Sequence, residues 1–459
     1  MVRLTPLTTI PYAEHGRQVM MDPAICWPAT VEEATPSPSR RVLMLAYFFP
    51  PHSAVAAHRP EALFRYLPEF GWTPTVITAT GEGADPAIIR TPDIARLRGM
   101  HGGVPAGKAP GRFAPLLRTA KKLLRYFPPW RDEYASWSNS LFAHGVAAAG
   151  VQHIDLVWAT CNPFSLAPAA IRLAQALGVP CVVDLRDTFP AYLTHTTPAR
   201  HWFYQAIREA DVLTLSAPAN ATSDLLQART GRRPTTIVSG MWLPEVVPAS
   251  PVDTFRIFYA GALYSGTRDI RPLLTAMRDL AGELPEFRTQ ARLQIVGGES
   301  AGVALLPEYR DVAEMCELVG ALPHRQVEGL MAEASVLTII KGSGFEHEDA
   351  LPAKFFDYLP YAAPIVAFGG ISGLLGDFLR WSRSGVWMST ADELTVFLRT
   401  HYQAWCNAGI VIQPRLPAAL EYFTQRRMAG EFAAIFTALA DGRAPSCRER
   451  PLWQEVETK

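Results

Sequence analysis

The chain has 459 residues, 49% of them apolar, and its 43 basic and 43 acidic side chains cancel to a formal charge of zero. That length exceeds what one hydrophobic core serves and predicts two domains of ordinary size, while the balance excludes a surface built as a whole to attract nucleic acid. Cys26, Cys161, Cys181, Cys316, Cys406 and Cys447 include no CxxC pair, so there is no metal or redox spacing to interpret and a reducing cytoplasm is the expected setting.

Residues 1–40 show no sustained period and are read as an extension. Glu14, His15 and Arg17 break any signal-peptide core, and no later stretch stays apolar for the ~20 residues of a membrane span. The chain is therefore expected to be soluble or peripheral to a membrane. A first domain is predicted over 41–243. It opens with the apolar strand from Arg41 to Tyr47, the turn-forming Phe49–Pro50–Pro51–His52–Ser53, a helix from Arg59 to Phe70 stopped by Gly71, and the strand Thr75–Thr78. Between Phe113 and Tyr126, Arg118, Lys121, Lys122 and Arg125 interleave with leucines. That is the composition of a basic amphipathic helix, either core-packed or, with Phe127 and Trp130 across 113–130, in contact with an anionic membrane.

The strand–helix alternation then repeats, with strands at Asp155–Thr160, Pro180–Asp184 and Asp211–Leu215 and a helix from Ser165 to Leu177. A proline-bearing linker from Pro244 to Pro251 separates a second series over 252–417: strands Arg256–Ala260, Leu293–Val296, Val336–Ile340 and Pro364–Phe368, with helices Ile270–Leu280, His324–Ala334 and Lys354–Leu359. A helix over 418–440 is expected to pack back on the first domain, and 441–459 is a tail. The predicted fold class is α/β, two Rossmann-like domains of parallel strands facing each other across a cleft, with ligands beyond the carboxyl ends of the strands.

Four passages in this order, Tyr47–Phe48–Phe49–Pro50–Pro51 with Arg59, Asn162–Pro163–Phe164–Ser165 with Val183–Asp184–Leu185–Arg186–Asp187, Tyr259–Ala260–Gly261, and Pro352–Ala353–Lys354 through Tyr358 to Pro364, run from about Arg41 to about Leu439. Together they closely resemble the GT-B glycosyltransferases, and within them the retaining family 4. The resemblance implies transfer of a hexose from a nucleoside-diphosphate sugar to a hydroxyl acceptor, a glycan, glycolipid or natural product, with the anomeric configuration retained. The nucleotide-sugar is a donor substrate, and no cofactor or metal is expected.

Pro352 suits the first turn of a helix, which would set Lys354 and Asp357 on one face. A lysine for the phosphates and a carboxylate for the ribose diol match the two ends of a nucleoside diphosphate, and in similar enzymes the acid at the Asp357 position holds those hydroxyls. An ordinary surface Lys–Asp pair is the plain alternative. Relatives carry two glutamates at a fixed spacing, here filled by Asp349 and Asp357, with Glu346 and Glu348 beside the first. Glu346 or Asp349 is expected to approach the sugar, unless this acidic loop is merely solvated.

Relatives also place an arginine directly after the glycine at 261. This chain has Ala262, and Arg268 is either the replacement phosphate ligand or a surface residue. Gly297 is read as a tight turn or a close approach to ligand, and His324 as the frame of the nucleobase or an ordinary helix-start residue. Arg186 and Asp187 are either contacts to sugar hydroxyls or a structural pair. His52, Ser53 and Arg59 are assigned to the acceptor loop. A sugar-nucleotide epimerase of the same fold, or a degenerate transferase that only binds nucleotide-sugar, are the alternative functions.

Overall fold

Strands buried on both faces read as unbroken apolar runs, as expected where helices cover each side of a parallel sheet. The computed structural model describes residues 27–28, 40–52, 55–83, 85–91, 93, 134–186, 197–218, 220–241, 246–263, 266–342 and 351–448. Among them the first sheet is built from β1 (Arg40–Leu45), β2 (Trp72–Thr78), β3 (Ile88–Arg90), β4 (Leu156–Cys161), β5 (Cys181–Leu185), β6 (Val212–Leu215) and β7 (Thr235–Thr236). All are parallel and lie in the order β3-β2-β1-β4-β5-β6-β7. The second sheet repeats the scheme with β8 (Phe255–Ala260), β9 (Ala291–Val296), β10 (Cys316–Gly320), β11 (Val336–Ile340), β12 (Ile365–Phe368) and β13 (Gly385–Met388). Its order is β10-β9-β8-β11-β12-β13, again parallel. In each sheet the order reverses beside its first strand, between β1 and β4 and between β8 and β11. Such switch points open a crevice beyond the strands' carboxyl ends.

Alternation of side chains along each strand divides each half into two apolar layers. On one face of the first sheet, Leu43, Leu45, Val157 and Val183 pack against α2 (Ala135–Val151) and α3 (Leu166–Leu177). On the other, Val42, Met44, Trp158 and Val182 pack against α1 (His58–Tyr66) and a helix from the far end of the chain, Gln425–Ala440. The second sheet is covered on one face by α4 (Arg271–Glu283) and α5 (Ala391–Ala408), and on the other by α6 (His324–Ala332), α7 (Ala353–Tyr358) and α8 (Gly373–Trp381). Helix α5 starts on a capping box, with Glu393 N–H donating to Thr390 Oγ1 at 3.2 Å and Thr390 N–H returning to Glu393 Oε2 at 3.3 Å.

The structure corrects the predicted elements at three places. The segment expected as one helix over 418–440 is two, Pro417–Tyr422 and Gln425–Ala440. Between them Phe423 O accepts from Met241 N at 2.6 Å, and Thr424, with an extended ψ of 145°, bridges Met241 while its hydroxyl caps Arg427 N at 3.2 Å, so Phe423 closes the first helix and Thr424 opens the second. Second, Arg59 sits inside the first turn of α1 and not on a loop. Third, β3 and β7, the edges of the first sheet, and β10 and β13, the edges of the second, are covered by no expectation. Most residues of β10 and β13 are half-buried, so they lack the apolar run that marks a central strand. The segment 113–130, most of the extension and most of the tail lie outside the described residues, though Trp27–Pro28 of the extension pairs antiparallel with Cys447–Arg448 of the tail. Among those described, no helix is long and apolar enough to cross a membrane.

Candidate functional site

The turns at the carboxyl ends of β8, β9 and β10 are tied together stepwise. Gly261 N–H donates to Val296 O and Gly297 N–H to Gly320 O, both at 2.7 Å. The packing leaves no room for side chains: a Cβ on Gly297 would lie 2.5 Å from Gly261 O, and one on Gly261 would lie 2.4 Å from Lys354 Nζ. Gly261 also adopts φ 128°, a region closed to other residues at low cost. The main chain of β8's end is thus exposed to direct approach by the Lys354 amine.

Pro352 caps α7 and its six residues carry Lys354 and Asp357 on adjoining positions of one face. The two side chains do not form an ion pair, and neither joins one elsewhere among the described residues. The Lys354 amine lies 5.3 Å from the centre of the Tyr259 ring, a cation–π contact. Beside it, the Arg268 guanidinium folds back to donate to Ala262 O at 3.0 Å. Burial, reinforced by the Arg268 charge and opposed by Asp357, lowers the Lys354 amine to about 8. Burial likewise raises the Asp357 carboxyl to about 7, with Lys354 opposing the shift and Glu328 adding to it. Two cations and a carboxyl with weakened acidity therefore converge on one glycine turn.

Asp357 also borders a cavity of about 170 Å³ between the two sheets. On its second-sheet side stand Leu351, Ala353, Phe356 and Asp357. Facing them from the first sheet are Val55, His58, Arg59, Arg186, Ser216 and Ser239, and the floor is Gly240, Gln425 and Met428. His58, in the first turn of α1, meets His324, in the first turn of α6, with ring centres 5.7 Å apart. The second ring approaches Glu328 Oε1 at 3.4 Å. Burial, with His324 and Arg186 nearby, pushes the His58 imidazole down to about 4, so it is neutral at physiological pH.

Both arginines of this wall brace the fold. Arg59 grips Asp184 with two bonds, Nε to Oδ2 at 2.8 Å and Nη2 to Oδ1 at 2.9 Å, and donates to Ile237 O at 2.9 Å. Asp184, fully buried, receives Thr160 Oγ1 at 3.0 Å and Thr214 Oγ1 at 2.7 Å as well. Arg186 donates to three main-chain carbonyls, those of Cys161 at 3.3 Å, Ala56 at 2.9 Å and Asn162 at 2.8 Å, which fastens the start of α1 to the end of β4.

The structure thus gathers Gly261, Gly297, Arg268 and Lys354 at one turn and sets Asp357 at its border with the cavity. His324 reaches the same cleft through His58. His52 lies on the turn after β1 with its ring 5.2 Å from that of Phe48. Ser53, Asp187, Glu346 and Asp349 lie outside the described residues. Sequence reasoning missed His58 and Gln425. His58 stands one residue before the arginine that drew attention, but Gln425 reaches the cavity only because the chain returns to the first sheet after completing the second.

Alanine at position 261 tests the glycine turn directly. Its methyl group must displace the Lys354 amine at a backbone angle unfavourable to any residue with a Cβ, and urea titration is expected to show a loss of roughly 1 kcal/mol or more. Unchanged stability would show that the turn has room its geometry denies.

No protein-family model matches the chain, and no curated protein gives a significant match. Solved structures do. HepE of Anabaena, in complex with UDP, superposes with TM-score 0.55 at 14% identity over 87% of this chain and 100% of its own. The trehalose 6-phosphate synthase of Burkholderia multivorans gives 0.55 at 12% over 92% and 99%, and the sucrose-phosphate synthase of Thermosynechococcus elongatus 0.53 at 13% over 87% and 94%. At such identities the likeness bears on architecture, and the architecture of this chain is the GT-B fold of glycosyltransferases.

Proposed function

We propose that the protein transfers a hexose from a nucleoside-diphosphate sugar to a hydroxyl acceptor with retention of configuration. The observation that carries this reading is the pairing of Lys354 and Arg268 at the Gly261 turn beside Asp357. Phosphate oxygens match the two cations and the open main chain at Gly261. The Asp357 carboxylate accepts hydrogen bonds from the ribose diol. When the bond from the anomeric carbon to the diphosphate breaks, the charge left on the phosphates is met by groups already in place, and stabilisation of that kind does more than any other single effect to lower the barrier in such sites. The acceptor oxygen then bonds to that carbon, and its proton leaves to the diphosphate or to a base in the cleft. HepE is described in complex with UDP and with UDP-glucose, which supports a uridine nucleotide as a first candidate donor.

The test is calorimetry of the purified protein with UDP, GDP, ADP and TDP and their sugars, followed by product analysis with an acceptor panel. Binding with transfer is expected. Conversion of donor alone to another sugar nucleotide would make the protein an epimerase, and binding without any turnover would make it a degenerate transferase.

The shifted groups also set a pH profile. The phosphates select the Lys354 ammonium, so affinity falls as pH rises through about 8. The ribose diol selects the Asp357 carboxylate, so affinity falls as pH drops through about 7. Nucleotide affinity should peak between these values, and Asp357→Asn should abolish the acidic limb while leaving the alkaline one.

A further inference from the structure

We propose that Arg415 is a positioning residue for the donor helix α7, keeping Lys354 and Asp357 at the Gly261 turn by gripping the chain that leaves the helix. The inference rests on the nucleotide-binding reading of that pair and adds what holds the pair in place. A helix of six residues makes few hydrogen bonds of its own and needs outside support. No side chain caps its start. At its front the Tyr358 hydroxyl accepts Ala260 N–H at 3.2 Å, beyond Phe258 and Leu337, where the pairing of β8 with β11 stops. That bond sets the helix against the end of β8, next to Gly261.

The other end of the helix is held from distant parts of the chain. From Leu359 to Ala363, every main-chain carbonyl accepts from one of two stretches, the linker before β8 or the stretch after α5 that leads back toward the first sheet. Pro360 O accepts from Val247 N–H at 2.9 Å and Ala362 O from Gln413 N–H at 2.8 Å. The alternate carbonyls go to Arg415. Its Nε donates to Leu359 O at 3.3 Å, and its Nη2 donates to Ala363 O at 2.7 Å and to Tyr361 O. Its Nη1 donates to Ser384 O at 3.1 Å, just ahead of β13, and to Gln413 O at 2.9 Å.

Every N–H of the guanidinium fork thus has a carbonyl of its own. Arg415 has no donor left for a phosphate, so it acts on binding through the helix. A cation set on the carbonyls at a helix C-terminus is favourable there, and a lysine, a point charge with fewer donors, could not span them all. The path to the donor site is short. Leu359 comes two residues after Asp357, and its N–H donates at 3.1 Å to the carbonyl of Phe355, the residue that follows Lys354. Released at this end, so short a helix frays. Lys354 and Asp357 would then swing off the turn and into water.

The experiment is calorimetry on the full chain, wild type, Arg415→Met and Arg415→Lys, with whichever of UDP, GDP, ADP and TDP binds the wild type best. It is run from about pH 5 to about pH 10, a range that spans both titrations. Arg415→Met is expected to weaken binding tenfold or more near neutral pH and to widen the pH profile. With the pair open to water, the Lys354 amine moves up from about 8 toward 10.5 and the Asp357 carboxyl down from about 7 toward 3.8, although Arg268 and Glu328 still face them. The alkaline limb therefore moves to higher pH and the acidic limb to lower pH. Arg415→Lys, which keeps the charge and some of the donors, should fall between. Phe287→Leu, in the apolar layer on the opposite face of the second sheet, controls for lost stability and should leave affinity within twofold and both limbs in place. Wild-type affinity and limbs in folded Arg415→Met, or in Arg415→Lys should the first variant not fold, overturn the proposal, as does an equal change in Phe287→Leu. Failure of every nucleoside diphosphate to bind the wild type overturns the donor-site reading itself.

Discussion

Replacing Lys354 by methionine is expected to weaken nucleoside-diphosphate binding roughly 10- to 100-fold, the equivalent of a charge-assisted contact of ~1.5–3 kcal/mol. The same substitution should make the unliganded protein more stable. Folding lowers this amine from 10.5 to about 8, so the stability it contributes is fully present only above 10.5 and is lost as pH falls through 8. At neutral pH the ammonium is therefore held at a cost, and a side chain of similar length without charge removes it. A gain of roughly 0.5–2 kcal/mol is the size common for a single stabilising substitution. Asp357 is the mirror case: its raised value means that its contribution is complete below 3.8 and lost as pH rises through about 7. Urea titration and calorimetry on Lys354→Met and Asp357→Asn separate the two roles. A lysine that only supports its helix would lose stability on substitution and leave nucleotide affinity intact.

The opposite signature is expected at Arg59 and Asp184. Both are buried, at 4% and 0% exposure, and each satisfies the other through two hydrogen bonds. Asp184→Ala strands a guanidinium among Ile237 O, Met428 and the Phe432 ring, 5.0 Å from its centre. Removing one partner of such a pair costs about 3–5 kcal/mol, whereas replacing both by apolar residues of matching volume is often nearly neutral. Asp184→Ala should thus lower the urea midpoint strongly, and Arg59→Met with Asp184→Leu should recover much of the loss. A single substitution that left stability unchanged would show that the pair is not the brace its geometry indicates.

The parts of this molecule that the sequence disclosed are those specified by short-range chemistry. Val336–Ile340 is predicted and observed with the same ends, because a central strand covered on both faces is a continuous apolar run. The relation of Lys354 to Asp357 was equally visible, since three positions along one helix fix it. Edge strands Cys316–Gly320 and Gly385–Met388 escaped because half-exposed strands need not be apolar. Gln425 escaped for another reason. Its neighbour across the contact is Gly240, and no local pattern reports that the chain, after building a second sheet, comes back to the first. The break at Phe423–Thr424 has the same origin: the helical period continues through it, but the bridge to Met241 takes precedence.

That return has a consequence for chain architecture. Met241 and Thr424 lie side by side, and everything from β8 to the helix Pro417–Tyr422 is strung between them. In connectivity, the second half is an insertion within the first, which owns both ends of the described polypeptide and remains without Phe432 and Phe436 in its core until the last segment is synthesised. A chain truncated before Gln425 would complete its second sheet and leave the first one open, whereas joining 240 to 425 through a short linker would close the first without the second.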